Sequence, residues 1–387
     1  MSSTEPSFDY IFAGAGCAGL SLATRILSRA DLASRKILII DKVRKAENDR
    51  TWCFWEREPG FFEPVVHRSW SHLEFCGEGA SRQLDISPYK YKMIRSSDFY
   101  ERCKKIIIDH ENVQVVTGEI KSISNQGDLV SVTTDGDEYK GRFCFNSTFN
   151  GTDIDEAKHI LIRQHFKGWV IKTNEKVFDP LKATLMDFRV SQSEGTAFFY
   201  VLPLSADRAL VEYTLFTKDI LTEERYDENL RQYVDQRITK QGYQVLEEEA
   251  GVIPMTTYPF KLHNGNIFNI GTAGGQTKGS TGYTFQFIQK HSEKIVSSLV
   301  STGRPPLNNN PTPWRFSLYD AIMLRVLSEK QQGAELFTRI FTKGQPTTIL
   351  RFLDNESHPG EDIAIMNRLP KGLFGKAALK EMFSRIG

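Results

Sequence analysis

Tyr10-Ile11-Phe12-Ala13 is an apolar run that fits a buried strand, and it passes directly into Gly14-Ala15-Gly16-Cys17-Ala18-Gly19. Leu20, Leu22, Ala23, Ile26 and Leu27 follow at helical spacing. Residues 36–40 read as a second buried strand that ends in Asp41, 22 residues past Gly19. Strand, glycine loop, helix and strand in this order predict the first unit of a Rossmann-type domain. Gly14 permits the tight turn, Gly16 lets a pyrophosphate approach the backbone, and Gly19 lets the helix pack close to the sheet. The helix N-terminus offers free N–H groups to phosphate, and Asp41 is placed to accept from ribose hydroxyls. Three glycines alone also describe an ordinary α/β turn; the flanking elements and the acid in register favour a dinucleotide. An acid at 41 favours FAD or NAD over NADP, which prefers a nearby arginine.

What lies downstream separates the two cofactors. Residues 51–91 are rich in aromatic and turn residues and show no second βα unit. A helix over about 96–109 follows, then short strands near 113–117, 120–124, 129–134 and 138–145. An interrupted Rossmann unit with an inserted β-meander predicts an FAD domain carrying a substrate-binding insertion. A second glycine-rich loop, Gly271-Thr272-Ala273-Gly274-Gly275-Gln276-Thr277-Lys278-Gly279-Ser280-Thr281-Gly282-Tyr283, lies between an apolar strand and a helix that starts near Thr284. Such a loop aims backbone donors at an anion or a carbonyl, and Ser280 or Thr281 is suited to cap the helix. Two loops of this kind favour bound FAD, with Gly271, Gly274, Thr281 and Gly282 as further contacts. A glycine-rich lid unrelated to a flavin is the plainer alternative.

Between the loops, acids stand in unusual places. Residues 198–204 and 209–217 read as a hairpin joined by the turn Ser205-Ala206-Asp207-Arg208. Alternation puts Leu210, Glu212, Thr214 and Phe216 on one face and Ala209, Val211, Tyr213 and Leu215 on the other. Glu212 therefore interrupts a strand that is apolar on both faces, where unpaired carboxylates are rare. Either it pairs with an arginine such as Arg189 or Arg208, or it is a proton donor whose pKa an apolar pocket raises. Asp187, in Leu185-Met186-Asp187-Phe188-Arg189, poses the same choice.

Composition bounds the rest. A chain of 387 residues suggests two or three domains, at roughly 100–200 residues each. With 40% hydrophobic and 25% charged residues it can bury a sizeable core. Basic and acidic residues number 49 and 48, so no global positive field exists to hold nucleic acid. The five cysteines are odd in number and form no C-x-x-C pair, which argues against a disulfide framework or a cysteine zinc site and for a reducing compartment. No metal is expected. Residues 1–9 lack the cationic start of a secretory signal, and the uncharged stretch 10–24 is too short and glycine-rich to span a bilayer. The 26 phenylalanines fit either an aromatic core or a greasy cavity. Asn308-Asn309-Asn310 reads as a linker, and helices over about 318–342 are candidates for a tunnel or lid. From Ile363 to the end, Arg368, Lys371, Lys376, Lys380 and Arg385 face a single acid, Glu381. Leu373, Phe374, Ala377, Leu379, Met382, Phe383 and Ile386 interleave with them. This is the pattern of a basic amphipathic helix at a bilayer surface, or of a solvated helix packed on the core.

In separated blocks along most of its length the sequence resembles the lycopene cyclases, flavoproteins of carotenoid synthesis. Gly14 to Gly19 is similar to their N-terminal FAD fingerprint, and Asp49-Arg50-Thr51-Trp52-Cys53-Phe54-Trp55 to the Thr-Trp-Cys-Phe block of the bacterial branch. Met186-Asp187-Phe188-Arg189 resembles a Met-Asp-x-Arg block. Tyr200 to Leu204 with Glu212 and Thr214 resembles the Leu-Glu-Glu-Thr region, where a glutamate is taken to be the catalytic acid. Ile253-Pro254-Met255 and the loop ending in Ser280-Thr281-Gly282-Tyr283 complete the series. Tyr213 stands where plant members carry a second acid, Lys278-Gly279 replaces a common His-Pro, and Phe145-Asn146-Ser147 replaces an Asp-rich turn.

The resemblance implies a non-redox cyclisation of the ψ end groups of lycopene to β-ionone rings. Glu212 and Asp187 would be the catalytic residues, FAD would act in its reduced form, and NAD(P)H would be the external reductant. Gly14, Gly16, Gly19, Asp41, Gly271, Gly274, Thr281 and Gly282 would hold the flavin. The substrate would come from a membrane, placing the protein in the cytoplasm at the inner face of the cell membrane. The expected architecture is α/β. A discontinuous Rossmann-type FAD-binding domain (1–150 and 250–305) interleaves with an antiparallel-sheet substrate domain (51–95 and 151–250), followed by a helical C-terminal region (306–387). Two rivals use the same scaffold: a redox flavoenzyme (monooxygenase or isoprenoid reductase), and a non-catalytic carotenoid or lipid carrier.

Overall fold

The computed structural model describes residues 7–386 apart from 46, 152, 153, 309, 311 and 331. Residues 1–6, Asn309 of the linker, and the side chains of Arg385 and Ile386 thus lie outside the described parts. Among the described residues, three sheets build the fold. The first centres on the strand Phe8–Ala13, which runs parallel to Ile37–Asp41 on one side and to Glu138–Asn146 on the other. Val113–Thr117 and Ile267–Asn269 extend it in parallel at the two flanks. Parallel strands are covered on both faces, which is why Ile11, Phe12, Leu38, Ile39 and Ile40 are all buried without alternation. Helices Cys17–Leu27, Ser96–Ile108 and Phe285–Thr302 cover one face over Tyr10, Phe12, Phe143 and Phe145. On the other face a meander through Ile120–Gln126 and Leu129–Thr134 brings Val130 and Val132 against Ile11 and Leu38.

The second sheet has seven strands, in the order Tyr243–Thr256, Leu161–Thr173, Arg208–Thr217, Thr196–Pro203, Lys182–Asp187, His72–Gly77 and Ala80–Asp85. Neighbours are antiparallel except Lys182–Asp187 and His72–Gly77. The segment that interrupts the Rossmann unit therefore crosses over to complete the other sheet. It also supplies the third sheet, Thr51–Glu56, Lys90–Arg95 and Arg68–Trp70. The hairpin expected around residue 205 is present, with the expected alternation. Leu210 and Phe216 join a core shared with the C-terminal helices, whereas Ala209, Val211, Tyr213 and Leu215 pack against Tyr226, Leu230 and Tyr233 of the helix Glu223–Tyr233. Among the described residues, five helices run from Trp314 to Ile386, and Leu324, Phe337, Phe341, Leu350 and Ala377 join the core of the seven-stranded sheet.

The glycine turn after the first strand is tight. Gly14 has φ +101°, and a Cβ on Gly19 would stand 2.1 Å from the Gly14 carbonyl oxygen. The helix start and the turn therefore touch only because residue 19 has no side chain. Gly19→Ala is expected to destabilise the protein by about 1–3 kcal/mol, the usual cost of overpacking. Urea denaturation would show this as a lower midpoint at unchanged slope; an unshifted midpoint would contradict the contact.

Candidate active site

Past the carboxyl end of Phe8–Ala13 opens a cavity of about 470 Å³. Gly16, Cys17 and Ala18 line it from the first glycine loop, and Gly271, Thr272, Thr281 and Gly282 from the second. The helix Cys17–Leu27 has no side-chain cap, which leaves its first N–H groups free to meet an anion. A Cβ placed on Gly16 would meet nothing within 4 Å, so the backbone there is open to a ligand. Lys45 and Arg50 add cations to the same wall. Thr281 Oγ1 and Gln164 Oε1 are buried with no hydrogen-bond partner. Free donors, cations and orphaned polar atoms along one cavity fit a dinucleotide.

The predicted contacts divide into two groups. Gly16, Gly271, Thr281 and Gly282 line the cavity, whereas Gly14, Gly19, Asp41 and Gly274 shape the loops behind it. Asp41 accepts from the Ala15 N–H at 2.7 Å and from the Val43 N–H at 3.1 Å, so its carboxylate braces the glycine turn.

The far wall is the seven-stranded sheet, which contributes Gln164, Phe166, Tyr200, Leu202, Leu210 and Glu212. Glu212 is opposite Tyr200 on one side and Gly168 on the other, and Gly168 is opposite Glu249. The four residues form one row across four strands, and residues in a row share a face. The two glutamate strands are separated by Leu161–Thr173, hence by about 9–10 Å. Gly168 leaves that gap without a side chain, and the two carboxyl groups interact across it. A Cβ on Gly168 would stand 3.3 Å from Glu212 Cβ and 3.4 Å from its Cγ.

Thr214 Oγ1 donates to Glu212 Oε1 at 2.7 Å, and Thr51 Oγ1 donates to Glu249 Oε2 at 2.5 Å. Burial raises the pKa of Glu212 well above the ordinary carboxylate range, and the charge of Glu249 raises it further, against the opposing Thr214 bond. Burial raises Glu249 as well. The arrangement can hold a carboxyl group protonated at neutral pH against an aromatic cavity.

The sequence profile of one family, described as "Lycopene cyclase protein", matches residues 9–378. The chain belongs to the lycopene cyclase family. It is similar to the lycopene beta-cyclase of Pantoea ananas, with 26% identity over 265 residues, 65% of this chain and 63% of that one. The lycopene beta-cyclase of Pseudescherichia vulneris is 25% identical over 258 residues, 64% of this chain and 62% of its own. The chain thus spans a little under two thirds of the length of these relatives. In fold it is similar to a geranylgeranyl bacteriochlorophyll reductase-like protein from Thermoplasma acidophilum, with TM-score 0.62 and 12% identity, covering 94% of this chain and 99% of the other. The p-nitrophenol 4-monooxygenase of Pseudomonas putida gives TM-score 0.60 and 12% identity, covering 97% and 98%. A flavoprotein/dehydrogenase from Cytophaga hutchinsonii gives 0.61 and 11%, covering 98% and 99%.

Most of the lycopene cyclase blocks converge on the cavity: Thr51 to Cys53, Tyr200 with Glu212, Ile253-Pro254, and Thr281 to Tyr283 all line it. Lys278 does not. It is buried in the cavity's surroundings, where Nζ bonds Asp320 Oδ1 at 2.8 Å and Asn355 Oδ1 at 2.7 Å and ties the second loop to the C-terminal helices. Sequence reasoning missed Lys45, Arg50 and Glu249. A signal for Glu249 existed: counting back by twos from Met255 through Ile253 and Gly251 keeps it on the inward face.

The structure does not bring Asp187 to Glu212. Asp187 is opposite Phe199, one residue out of phase with Tyr200, so it faces the other side of the sheet. There it accepts from Arg189 Nε at 2.9 Å, Arg189 Nη2 at 2.7 Å and Tyr233 Oη at 2.8 Å. Burial alone would raise its pKa, but the Arg189 guanidinium and the Tyr233 hydroxyl outweigh burial and hold it below the ordinary value. Arg189, an expected partner of Glu212, is thus committed to Asp187. A carboxylate held in this way stays ionised at neutral pH, on the face of the sheet turned away from Glu212. Arg189→Met is expected to destabilise the protein by about 3–5 kcal/mol at pH 7, because it strands a buried charge. The wild-type pair stabilises above the ordinary Asp pKa and loses that stability as pH falls through the lowered value. The gap between variant and wild type should therefore narrow below a pH of about 4. Denaturation at pH 7 and at pH 3 measures it, and a pH-independent gap would refute the assignment.

Proposed function

We propose that the protein closes the ψ end groups of lycopene into β-ionone rings with no net redox change, using Glu212 as the acid. FAD would lie between the two glycine loops in its reduced form, with NAD(P)H as external reductant. What carries this reading is a carboxyl group, kept protonated by burial and a like-charged neighbour, at the wall of an aromatic cavity that the glycine loops also line. The fold of known flavoenzymes and the membership of the family support the same reading.

Glu212 gives its proton to the terminal double bond of the ψ group, which leaves a tertiary carbocation. The neighbouring double bond attacks it and forms the ring bond, and loss of a ring proton places the ring double bond. Thr214 holds one oxygen of Glu212 and leaves the other to carry the proton. Trp52, Phe166, Tyr200, Tyr283 and Phe285 line the cavity, where their ring faces attract a cation and their bulk excludes the water that would trap it. Reduced FAD, when bound, supplies negative charge against which a hydrocarbon cation is stable.

Glu212→Gln should keep the flavin and lose about 10²–10⁴-fold of the ring-forming rate. The wild-type chain expressed in lycopene-accumulating bacteria should turn red pigment orange-yellow with mass unchanged. NAD(P)H consumed in step with substrate would instead mark a redox flavoenzyme, and bound but unaltered pigment a carrier.

A hydrocarbon substrate also requires contact with a membrane. Among the described residues no helix is long and apolar enough to cross one. The last helix, Lys371–Ile386, turns Ala377 and Glu381 inward, and Glu381 accepts from Arg325 Nε at 2.5 Å. Leu379, Met382 and Phe383 are 54%, 43% and 72% exposed, within about one helical turn of each other on the outer face, near the exposed Lys376 and Lys380. We assign this face to peripheral contact with the bilayer. Replacing Leu379, Met382 and Phe383 together by Gln should lower partitioning onto anionic liposomes by roughly tenfold or more; equal partitioning would remove this helix from membrane contact.

A further inference from the structure

We propose that Glu249 and Glu212 form a one-proton carboxyl pair bridged over Gly168, in which Glu249 is the positioning residue that keeps the acid loaded. The inference deepens the proposed cyclase reading, since it gives the source and the return path of the proton. The pair itself does not depend on the identity of the substrate.

The geometry is set by three strands. Glu212 and Glu249 flank Gly168 in register, one on each neighbouring strand. Each carboxyl group receives one threonine hydroxyl, from Thr214 and from Thr51. That leaves Glu249 Oε1 buried with no donor. A proton carried by Glu212 is the donor that this oxygen lacks. Two ionised carboxylates facing each other across one residue would repel, and a shared proton removes the repulsion. Among the described residues the cation that acts on the pair is Arg50, and it acts on Glu249. Tyr200, Tyr91, Tyr283 and Cys53 stand on the neighbouring elements, and burial pushes all four up, so they stay neutral. Arg50, on the cavity wall, lowers Glu249, and Glu247 opposes it in part.

The proton balance closes within the pair. One proton leaves Glu212 for the CH carbon of the terminal double bond, the charge falls on the dimethyl carbon, and both carboxyl groups are then ionised while the cation exists. The ring C–C bond forms, a ring C–H bond breaks, its electrons become the ring double bond, and its proton returns to the pair. No oxidant, reductant or bulk water takes part. Negative charge on the pair is largest when positive charge on the hydrocarbon is largest, which is the condition for stabilising a transition state.

The test uses full-length protein and two readouts. In infrared titration of substrate-free protein labelled with ¹³C-carboxyl glutamate, wild type minus Glu212→Gln should reveal a protonated carboxyl that persists above neutral pH. Glu249→Gln removes the charge and keeps the shape, so the midpoint should fall by about one pH unit or more, a tenfold change in proton affinity. Gly168→Ala, which wedges the pair apart, should shift it in the same direction. In lycopene turnover, Glu249→Gln should move the alkaline limb of the pH–rate profile down by the same amount, beside the rate lost with one negative charge of the pair. An alkaline limb that stays in place, or an infrared midpoint unchanged in Glu249→Gln, would overturn the pair. A shifted infrared midpoint with no cyclised product in any variant or in wild type would leave the pair standing and overturn the cyclase reading instead.

Discussion

A carboxyl group buried without a cation keeps its proton, and the architecture around Glu212 follows from that constraint. Charging Glu212 would mean holding an ion in low dielectric beside another carboxylate, with only one hydroxyl to solvate it. The sheet supplies this environment through register. Tyr200 on one flank is aromatic, Gly168 on the other is empty, and the next position is a second acid. A lysine or arginine anywhere in that row would form a salt bridge and leave an ordinary carboxylate.

Asp187 is the internal control. It sits on the same sheet, more deeply buried than Glu212, yet its pKa moves the other way because Arg189 and Tyr233 reach it. Burial therefore does not decide the protonation state by itself; the partner does. The face of the sheet selects the partner. The side toward the helix Glu223–Tyr233 offers a hydroxyl and a guanidinium, and the side toward the cavity offers aromatic rings.

These differences explain which parts of the molecule were legible in the sequence. The glycine unit was, because Gly14, Gly19 and Asp41 act within a span of 28 residues and their contacts are local. The hairpin and the orientation of Glu212 were, because side-chain alternation needs only one strand. Glu249 was not singled out, because its meeting with Glu212 depends on the register of a third strand between them and on the residue that strand places there. Asp187 was grouped with Glu212 because an acid on an apolar strand looks the same whether or not an arginine two residues on folds back to it. The terminal helix shows the same limit. Its composition is basic and apolar, but only the packing of Leu373, Phe374 and Ala377 into the core leaves Leu379, Met382 and Phe383 as the outward face.

The second glycine loop holds the two halves of the site in fixed relation. A Cβ on Gly282 would stand 2.1 Å from Gln164 Oε1, on the strand that carries Gly168. A Cβ on Gly271 would stand 2.9 Å from that of Ala18, at the head of the first helix. One loop thus touches both the dinucleotide unit and the sheet that bears the acid. Fold relatives named as reductases and monooxygenases share this scaffold, so the scaffold does not dictate the chemistry. On the reading proposed above, the distinction lies in the row from Tyr200 to Glu249. A proton stored there turns the cavity toward acid chemistry, and the empty position at Gly168 is what allows two carboxyl groups to store it together.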